Sequence, residues 1–111
     1  MFMIENFTYP NDKIWTIYTK SNCDYCTKVK KLLKSNNINY VVVDSDEYIQ
    51  NNKSKELFLS QMEYIIGKKY RTFPIVFNGI NFIGGCVDTE NYIDSINKLK
   101  SNKNLIFEED F

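Results

Sequence analysis

The sequence predicts an α/β fold in which helices flank a mixed four-stranded sheet. Three patterns lead to this prediction: two strand-like segments separated by an amphipathic helix, a hairpin signal at Asn78-Gly79, and two further amphipathic helices. Strands joined through a helix run parallel, whereas Asn-Gly joins two antiparallel strands. The predicted order is therefore β-α-β-α-β-β-α.

The first half of the chain supplies the parallel pair of strands. Residues 14–19 are dense in β-branched and aromatic side chains, which predicts a buried strand. Residues 24–35 repeat apolar side chains at helical spacing, with lysines on the other face, which predicts a helix. Residues 40–43 show no polar alternation, as expected of a strand that is covered on both faces.

The second half supplies the hairpin and the remaining helices. Residues 54–66 form the next predicted helix, which Gly67 closes. Strands predicted over residues 74–77 and 81–83 flank the Asn-Gly turn. A last helix is predicted over residues 89–100 from its apolar spacing.

These elements predict one domain over residues 14–100. An N-terminal extension, residues 1–13, precedes it, and a C-terminal tail, residues 101–111, follows it. The tail mixes apolar and acidic side chains, which leaves two interpretations open. It is either a frayed end with a small apolar contact or a segment that binds a partner.

Composition excludes several classes of function. The chain has 14 Lys+Arg against 14 Asp+Glu, and this balance argues against nucleic-acid binding. It has no histidine, which excludes Ser-His-Asp and Cys-His nucleophile pairs and His-ligated zinc. No segment is long and apolar enough to span a membrane, and the N-terminus does not resemble a signal peptide. We therefore expect a cytoplasmic, reducing setting, where paired cysteines are catalytic or metal-binding more often than structural.

The pair Cys23 and Cys26 lies between the first predicted strand and the first predicted helix. Unpaired backbone N–H groups and the helix dipole favour an anion at such a position, so the pKa of Cys23 is expected to fall. Cys26 lies one helical turn further on, close enough to close a disulfide, and inside the first turn. We therefore predict Cys23 as the nucleophile and Cys26 as the resolving thiol. Lys20 adds a positive charge on the same side, whereas the Asp24 carboxylate opposes the thiolate.

Two other interpretations of the pair stay open at this point. A zinc site wants four ligands, and only Cys86 and Asp88 could join the pair. The two cysteines could also be buried residues without a chemical role. Redox chemistry is favoured, because the chain offers too few zinc ligands and because cysteines without a role would not need to lie at a junction between strand and helix.

Three segments together resemble the glutaredoxins of the thioredoxin-fold superfamily, in their dithiol form. They are Lys20-Ser21-Asn22-Cys23-Asp24-Tyr25-Cys26, then Arg71-Thr72-Phe73-Pro74, then Ile83-Gly84-Gly85-Cys86-Val87-Asp88. The resemblance spans about residues 14–100 and implies a thioredoxin-like fold. Three departures are the Asp24 carboxylate in place of a proline, Phe73 in place of a valine, and the cysteine at position 86, which only some members have.

The resemblance implies a glutathione site. Lys20 and Arg71 would hold the glycine carboxylate, and Tyr25 would shape the pocket beside the mixed disulfide. The Thr72-Phe73-Pro74 segment would contain a cis peptide before the proline and pair its backbone with glutathione. The backbone N–H groups of Val87 and Asp88 would bind the γ-glutamyl carboxylate, with the Asp88 side chain on the ammonium group.

The implied activity is glutathione-dependent thiol–disulfide oxidoreduction, which acts on protein disulfides and protein–glutathione mixed disulfides. Glutathione is then the reducing co-substrate, no metal is required, and we expect a monomer without nucleic-acid or membrane partners. One alternative is a carrier or sensor of a 2Fe-2S cluster, held between two chains by the first cysteine and glutathione. Another is an interaction module with incidental redox chemistry.

Overall fold

The computed structural model describes the backbone of residues 6–109 and the side chains of residues 6–101. The strands are β1 (Trp15–Thr19), β2 (Tyr40–Asp44), β3 (Ile75–Asn78) and β4 (Asn81–Gly84). The helices are α1 (Asp24–Ser35), α2 (Asn52–Ile66) and α3 (Cys86–Glu109), with a short 3-10 helix at Asp46–Ile49. The predicted order of strands and helices is confirmed, and the 3-10 helix is an addition in a stretch for which no element was predicted.

The four strands form one sheet in the order β2-β1-β3-β4. β1 pairs parallel with β2, so that Trp15 lies opposite Tyr40. β3 pairs antiparallel with both β1 and β4. Gly79 turns the hairpin with a φ of 59°, a left-handed conformation that favours glycine. The mixed sheet is confirmed.

The sheet separates two apolar clusters because side chains alternate between its faces. Trp15 and Ile17 point to the cluster that also contains residues of α1, β3 and α3, namely Val29, Leu33, Val76, Cys86 and Ile93. Tyr18 points to the cluster that α2 covers, namely Val43, Phe58, Leu59, Met62, Ile75 and Phe77. The central strand β1 is buried at every position, as predicted.

The prediction that the second strand is covered on both faces is wrong. β2 is an edge strand, and Val41 and Val42 are exposed while Val43 is buried. Valine favours extended backbone whether or not its side chain is buried. An uninterrupted valine run therefore identified the strand correctly but not its position in the sheet.

Two helices begin earlier than the sequence predicted. α2 begins at Asn52, because the Asn51 side chain accepts a hydrogen bond from the Ser54 backbone N–H at 2.9 Å. It ends at Ile66, and Gly67 caps it with a φ of 90°, as predicted. α3 begins at Cys86 rather than residue 89, and its backbone continues past residue 100 to Glu109. No helix in the described part of the chain has the length and apolarity that a bilayer crossing requires.

The N-terminal segment contacts the domain where the structure describes it. Phe7 packs against the cluster under α2, and the Tyr18 hydroxyl donates to the Thr8 carbonyl at 2.5 Å. Burial raises the pKa of Tyr18 far above its usual range, so this phenol stays a donor. The predicted tail, residues 101–111, lies almost wholly outside the described side chains, so its two interpretations stay open.

Candidate active site

The loop between β1 and α1 is fixed in place by the 3-10 helix. The Asp46 carboxylate accepts a hydrogen bond from the Ser21 backbone N–H at 2.9 Å and another from the Ser21 hydroxyl. These hydrogen bonds, with a smaller contribution from Lys20, lower the pKa of Asp46. Asn22 follows with a φ of 57°, a left-handed conformation that asparagine tolerates better than most residues. The loop therefore delivers Cys23 to the start of α1 in a defined orientation.

Cys23 is the N-cap residue of α1, and it forms a disulfide with Cys26. Its Sγ accepts a hydrogen bond from the Cys26 backbone N–H at 3.2 Å. This geometry is the one expected to stabilise a sulfur anion at a helix N-terminus. Cys26 is only 2% exposed, whereas Cys23 is partly exposed, so Cys23 is the sulfur that an incoming thiol or disulfide can reach.

A cleft of about 500 Å³ opens beside Cys23. The cleft contains six of the predicted site residues, namely Lys20, Cys23, Tyr25, Arg71, Thr72 and Phe73. It also contains Asn22, Asp24, Ile49 and Lys55. The sequence did not predict Ile49 and Lys55 as lining residues. They belong to the 3-10 helix and α2, which lie far from the Cys23 loop in the sequence and line the cleft with it only in the folded chain. The cleft thus combines a reactive sulfur with basic and aromatic side chains.

Phe73 forms the aromatic wall of this cleft. Its ring stacks on the buried Phe58 ring of α2, with centroids 6.0 Å apart and an interplanar angle of 9°. The Lys20 Nζ lies 5.9 Å from the Phe73 ring centroid, within reach of a cation–π interaction. The peptide between Phe73 and Pro74 is cis, as the resemblance implied. The larger side chain at this position is accommodated by the α2 cluster.

Arg71 reaches the cleft but is already paired. Its guanidinium forms two hydrogen bonds to the Glu56 carboxylate, of 2.7 and 3.3 Å. The hydrogen bond to Arg71 lowers the pKa of Glu56, and the same contact raises the pKa of Arg71. The predicted role of Arg71 on a substrate carboxylate therefore involves an exchange of partners.

Apart from the buried Cys26, the predicted residues that do not line the cleft are Pro74, Val87 and Asp88. Val87 and Asp88 are exposed in the first turn of α3, and the Asp88 carboxylate accepts from the Gly85 backbone N–H at 3.3 Å. A Cβ at Gly85 would lie 3.6 Å from the Pro74 carbonyl oxygen, so the Gly-Gly turn and the cis-proline segment are adjacent. Asp88 lines a separate shallow depression. Their predicted roles in binding glutathione stay predictions.

Cys86 lies in the apolar core as a free thiol, 7% exposed. Burial raises the pKa of this thiol, and the nearby Glu90 carboxylate raises it further. Over the described residues, no group of three or more Cys, Asp or Glu side chains is placed to hold a metal ion. Cys86 therefore lies in the core and does not line the cleft beside Cys23.

Comparison with known proteins identifies the family. The glutaredoxin family model matches residues 15–83. Mitochondrial glutaredoxin-2 of Homo sapiens is 37% identical over 79 residues, which cover 71% of this chain and 44% of that protein. A glutaredoxin of Ricinus communis is 37% identical over 73 residues, which cover 66% of each chain. The chain spans less than half the length of the mitochondrial relatives it matches.

Solved structures agree with this relationship. Glutaredoxin 1 from Francisella tularensis shares the fold with a TM-score of 0.63 at 24% identity, covering 76% of this chain and 95% of that one. A buckwheat glutaredoxin–glutathione complex has a TM-score of 0.58 at 29% identity, covering 77% of this chain and 73% of that one. The predicted thioredoxin-like fold is confirmed, and the chain belongs to the glutaredoxin family.

Proposed function

We propose that this chain is a glutathione-dependent thiol–disulfide oxidoreductase that reduces protein disulfides and protein–glutathione mixed disulfides. The observation that carries the proposal is the Cys23–Cys26 disulfide at the N-terminus of α1, beside a cleft. Cys23 is reachable and accepts a backbone N–H, while Cys26 is buried behind it. Such a pair can pass between dithiol and disulfide without a metal or a nucleotide.

The reaction on a mixed disulfide needs only Cys23. Its thiolate attacks the glutathione sulfur of the substrate, forms a Cys23–glutathione disulfide, and releases the substrate thiolate, which takes a proton. A second glutathione, as thiolate, attacks the glutathione sulfur of this adduct. Oxidised glutathione leaves and the Cys23 thiolate is regenerated.

The reaction on a protein disulfide also uses Cys26. The Cys23 thiolate attacks one substrate sulfur, which forms a mixed disulfide and releases the other substrate thiolate. The Cys26 thiolate then attacks the Cys23 sulfur, which releases the second substrate thiolate and forms the Cys23–Cys26 disulfide. Two glutathione molecules reduce this disulfide and leave as oxidised glutathione.

The charges of the cleft support glutathione as the reductant. Lys20 and Arg71 line it and would hold the glycine carboxylate, and Lys55 adds a third positive charge. The Phe73 backbone would pair with the cysteinyl unit like an added strand. The buckwheat relative was solved as a complex with glutathione, which agrees with this assignment. We further propose that the chain acts as a monomer in a reducing, cytoplasmic setting.

The test compares cysteine variants on two substrates. We expect Cys23→Ser to lose all turnover of a glutathionylated peptide, because it lacks the attacking sulfur. Cys26→Ser keeps this activity and loses glutathione-driven reduction of a protein disulfide. Cys86→Ser is the control and keeps both activities, because Cys86 lies outside the cleft. Turnover of the peptide by Cys23→Ser would refute the mechanism.

A further inference from the structure

We infer that Glu56 is a specificity-determining residue that competes with the substrate carboxylate for Arg71. The inference rests on the proposed function, since it concerns the carboxylate that Arg71 would bind. With Glu56 in place, the protein gains little from the terminal carboxylate of glutathione at this position. The values of kcat/KM for substrates with and without that charge then differ less than they would in a site where the guanidinium is free.

The geometry of the pair supports this competition. Both oxygens of Glu56 face the two terminal nitrogens of Arg71, at 2.7 and 3.3 Å. This fork-on-fork arrangement is the same one by which arginine would bind a ligand carboxylate. The two terminal nitrogens of Arg71 can form this bidentate pair with one carboxylate at a time. The ligand carboxylate must therefore displace Glu56 or form a weaker contact with Arg71.

The Arg71–Glu56 pair lies where it can influence the binding of a ligand in the cleft. Arg71 lines the cleft beside Cys23, and it also lines the neighbouring depression that contains Glu56. The side chains of Arg71 and Glu56 are 55% and 59% exposed, so the guanidinium can swing between the two partners. An incoming carboxylate therefore exchanges one ion pair for another.

Neighbouring charges keep Glu56 ionised while this exchange occurs. Lys55 and Lys69 add their positive charge to that of Arg71 around the carboxylate. The same Lys55 lines the cleft with Lys20. The carboxylate of a ligand thus meets two lysines that form no ion pair among the described residues, and one arginine that Glu56 already neutralises.

The test measures how strongly the enzyme depends on the ligand carboxylate. One substrate is a glutathionylated peptide, and the other is the same peptide carrying glutathione whose glycine carboxylate is a carboxamide. The readout is kcat/KM for the substrate with the free carboxylate divided by kcat/KM for the carboxamide substrate. We expect Glu56→Gln to raise this ratio about threefold, the size of effect that an exposed ion pair supplies.

Two further variants separate competition from a general change of charge. Glu63→Gln removes the same charge two turns along α2, where the side chain lines the same depression but has no ion pair among the described residues. It leaves the ratio unchanged. In an Arg71→Gln background, Glu56→Gln no longer alters the ratio, because the shared partner is gone.

The outcomes distinguish this inference from the function it rests on. An unchanged ratio in Glu56→Gln, with normal turnover by the unaltered chain, overturns the competition and leaves the proposed function standing. An equal rise in Glu63→Gln also overturns it, since the effect is then one of general charge. Failure of the unaltered chain to turn over either peptide overturns the proposed function and this inference with it.

Discussion

Two neighbours act in opposite directions on the Cys23 sulfur. The Cys26 backbone N–H donates to it at 3.2 Å, and this favours the thiolate. The exposed Asp24 carboxylate, next in the chain, repels a thiolate by about 0.7 kcal/mol at ~6 Å in water. We expect Asp24→Asn to raise the rate of iodoacetamide alkylation of the reduced protein about threefold below the pKa of Cys23. Asp94→Asn, an exposed position on α3, is the control, and equal rates in both variants would contradict this effect.

Cys86 differs from the reactive pair in both access and protonation. Burial and Glu90 raise the pKa of its thiol, so a smaller fraction of it is thiolate at neutral pH than for an exposed cysteine. The oxidised, folded protein should therefore react with Ellman's reagent at neutral pH as if it had no free thiol. Unfolding in urea without a reductant should then release one reactive thiol per chain. Rapid reaction of the folded protein would show that position 86 is more accessible than the structure indicates.

The 3-10 helix holds the loop before Cys23 through the hydrogen bonds of Asp46 to Ser21. Removing both acceptors with Asp46→Ala frees the Ser21 N–H and hydroxyl, so the position of the nucleophile becomes less defined. We expect kcat/KM for a glutathionylated peptide to fall roughly fivefold, because the two lost hydrogen bonds are exposed and together contribute about as much as one ordinary hydrogen bond. Glu47→Ala removes a charge from the same 3-10 helix without touching Ser21 and should leave kcat/KM within twofold.

The same contact has a defined pH dependence. The pKa of Asp46 is lower in the folded chain than its ordinary value, so the contact stabilises the fold above that ordinary value. This stabilisation is lost as the pH falls through the lower, folded pKa. Between pH 7 and pH 3, the urea midpoint of the unaltered chain should therefore fall further than that of Asp46→Ala. Parallel pH profiles would argue against a depressed pKa.

Local patterns predicted the elements well and their long-range contacts poorly. The Asn-Gly turn and the Gly67 helix end depend on neighbouring residues, and both were predicted. The exposure of Val42 depends on which strand lies at the edge of the sheet, and a strand's own residues do not specify this. The pairing of Arg71 with Glu56 joins α2 to the loop before β3, and no spacing pattern signals it.

At the scale of the whole molecule, one aromatic cluster connects the N-terminal segment to the cleft. Phe7 packs near Tyr18, Tyr48 and Phe58, with ring centroids 5.7 to 6.2 Å apart. Phe58 in turn stacks on Phe73, which forms the wall beside Lys20. Three aromatic residues of the domain thus pack against Phe7, a residue that was predicted to lie in an extension. The contact could not be predicted, because these residues are distant in the sequence and meet only in the folded domain.

This arrangement predicts that the segment contributes to the stability of the domain. Phe7 is half-buried, so Phe7→Ala should lower the free energy of unfolding by about 2 kcal/mol, below the loss for a fully buried ring. The measurement is urea unfolding, in which the midpoint falls and the slope stays unchanged. Lys13→Ala alters an exposed side chain of the same segment and should unfold like the unaltered chain. If Phe7→Ala shared that midpoint, the segment would not pack on the domain in solution, and the cluster would end at Phe58.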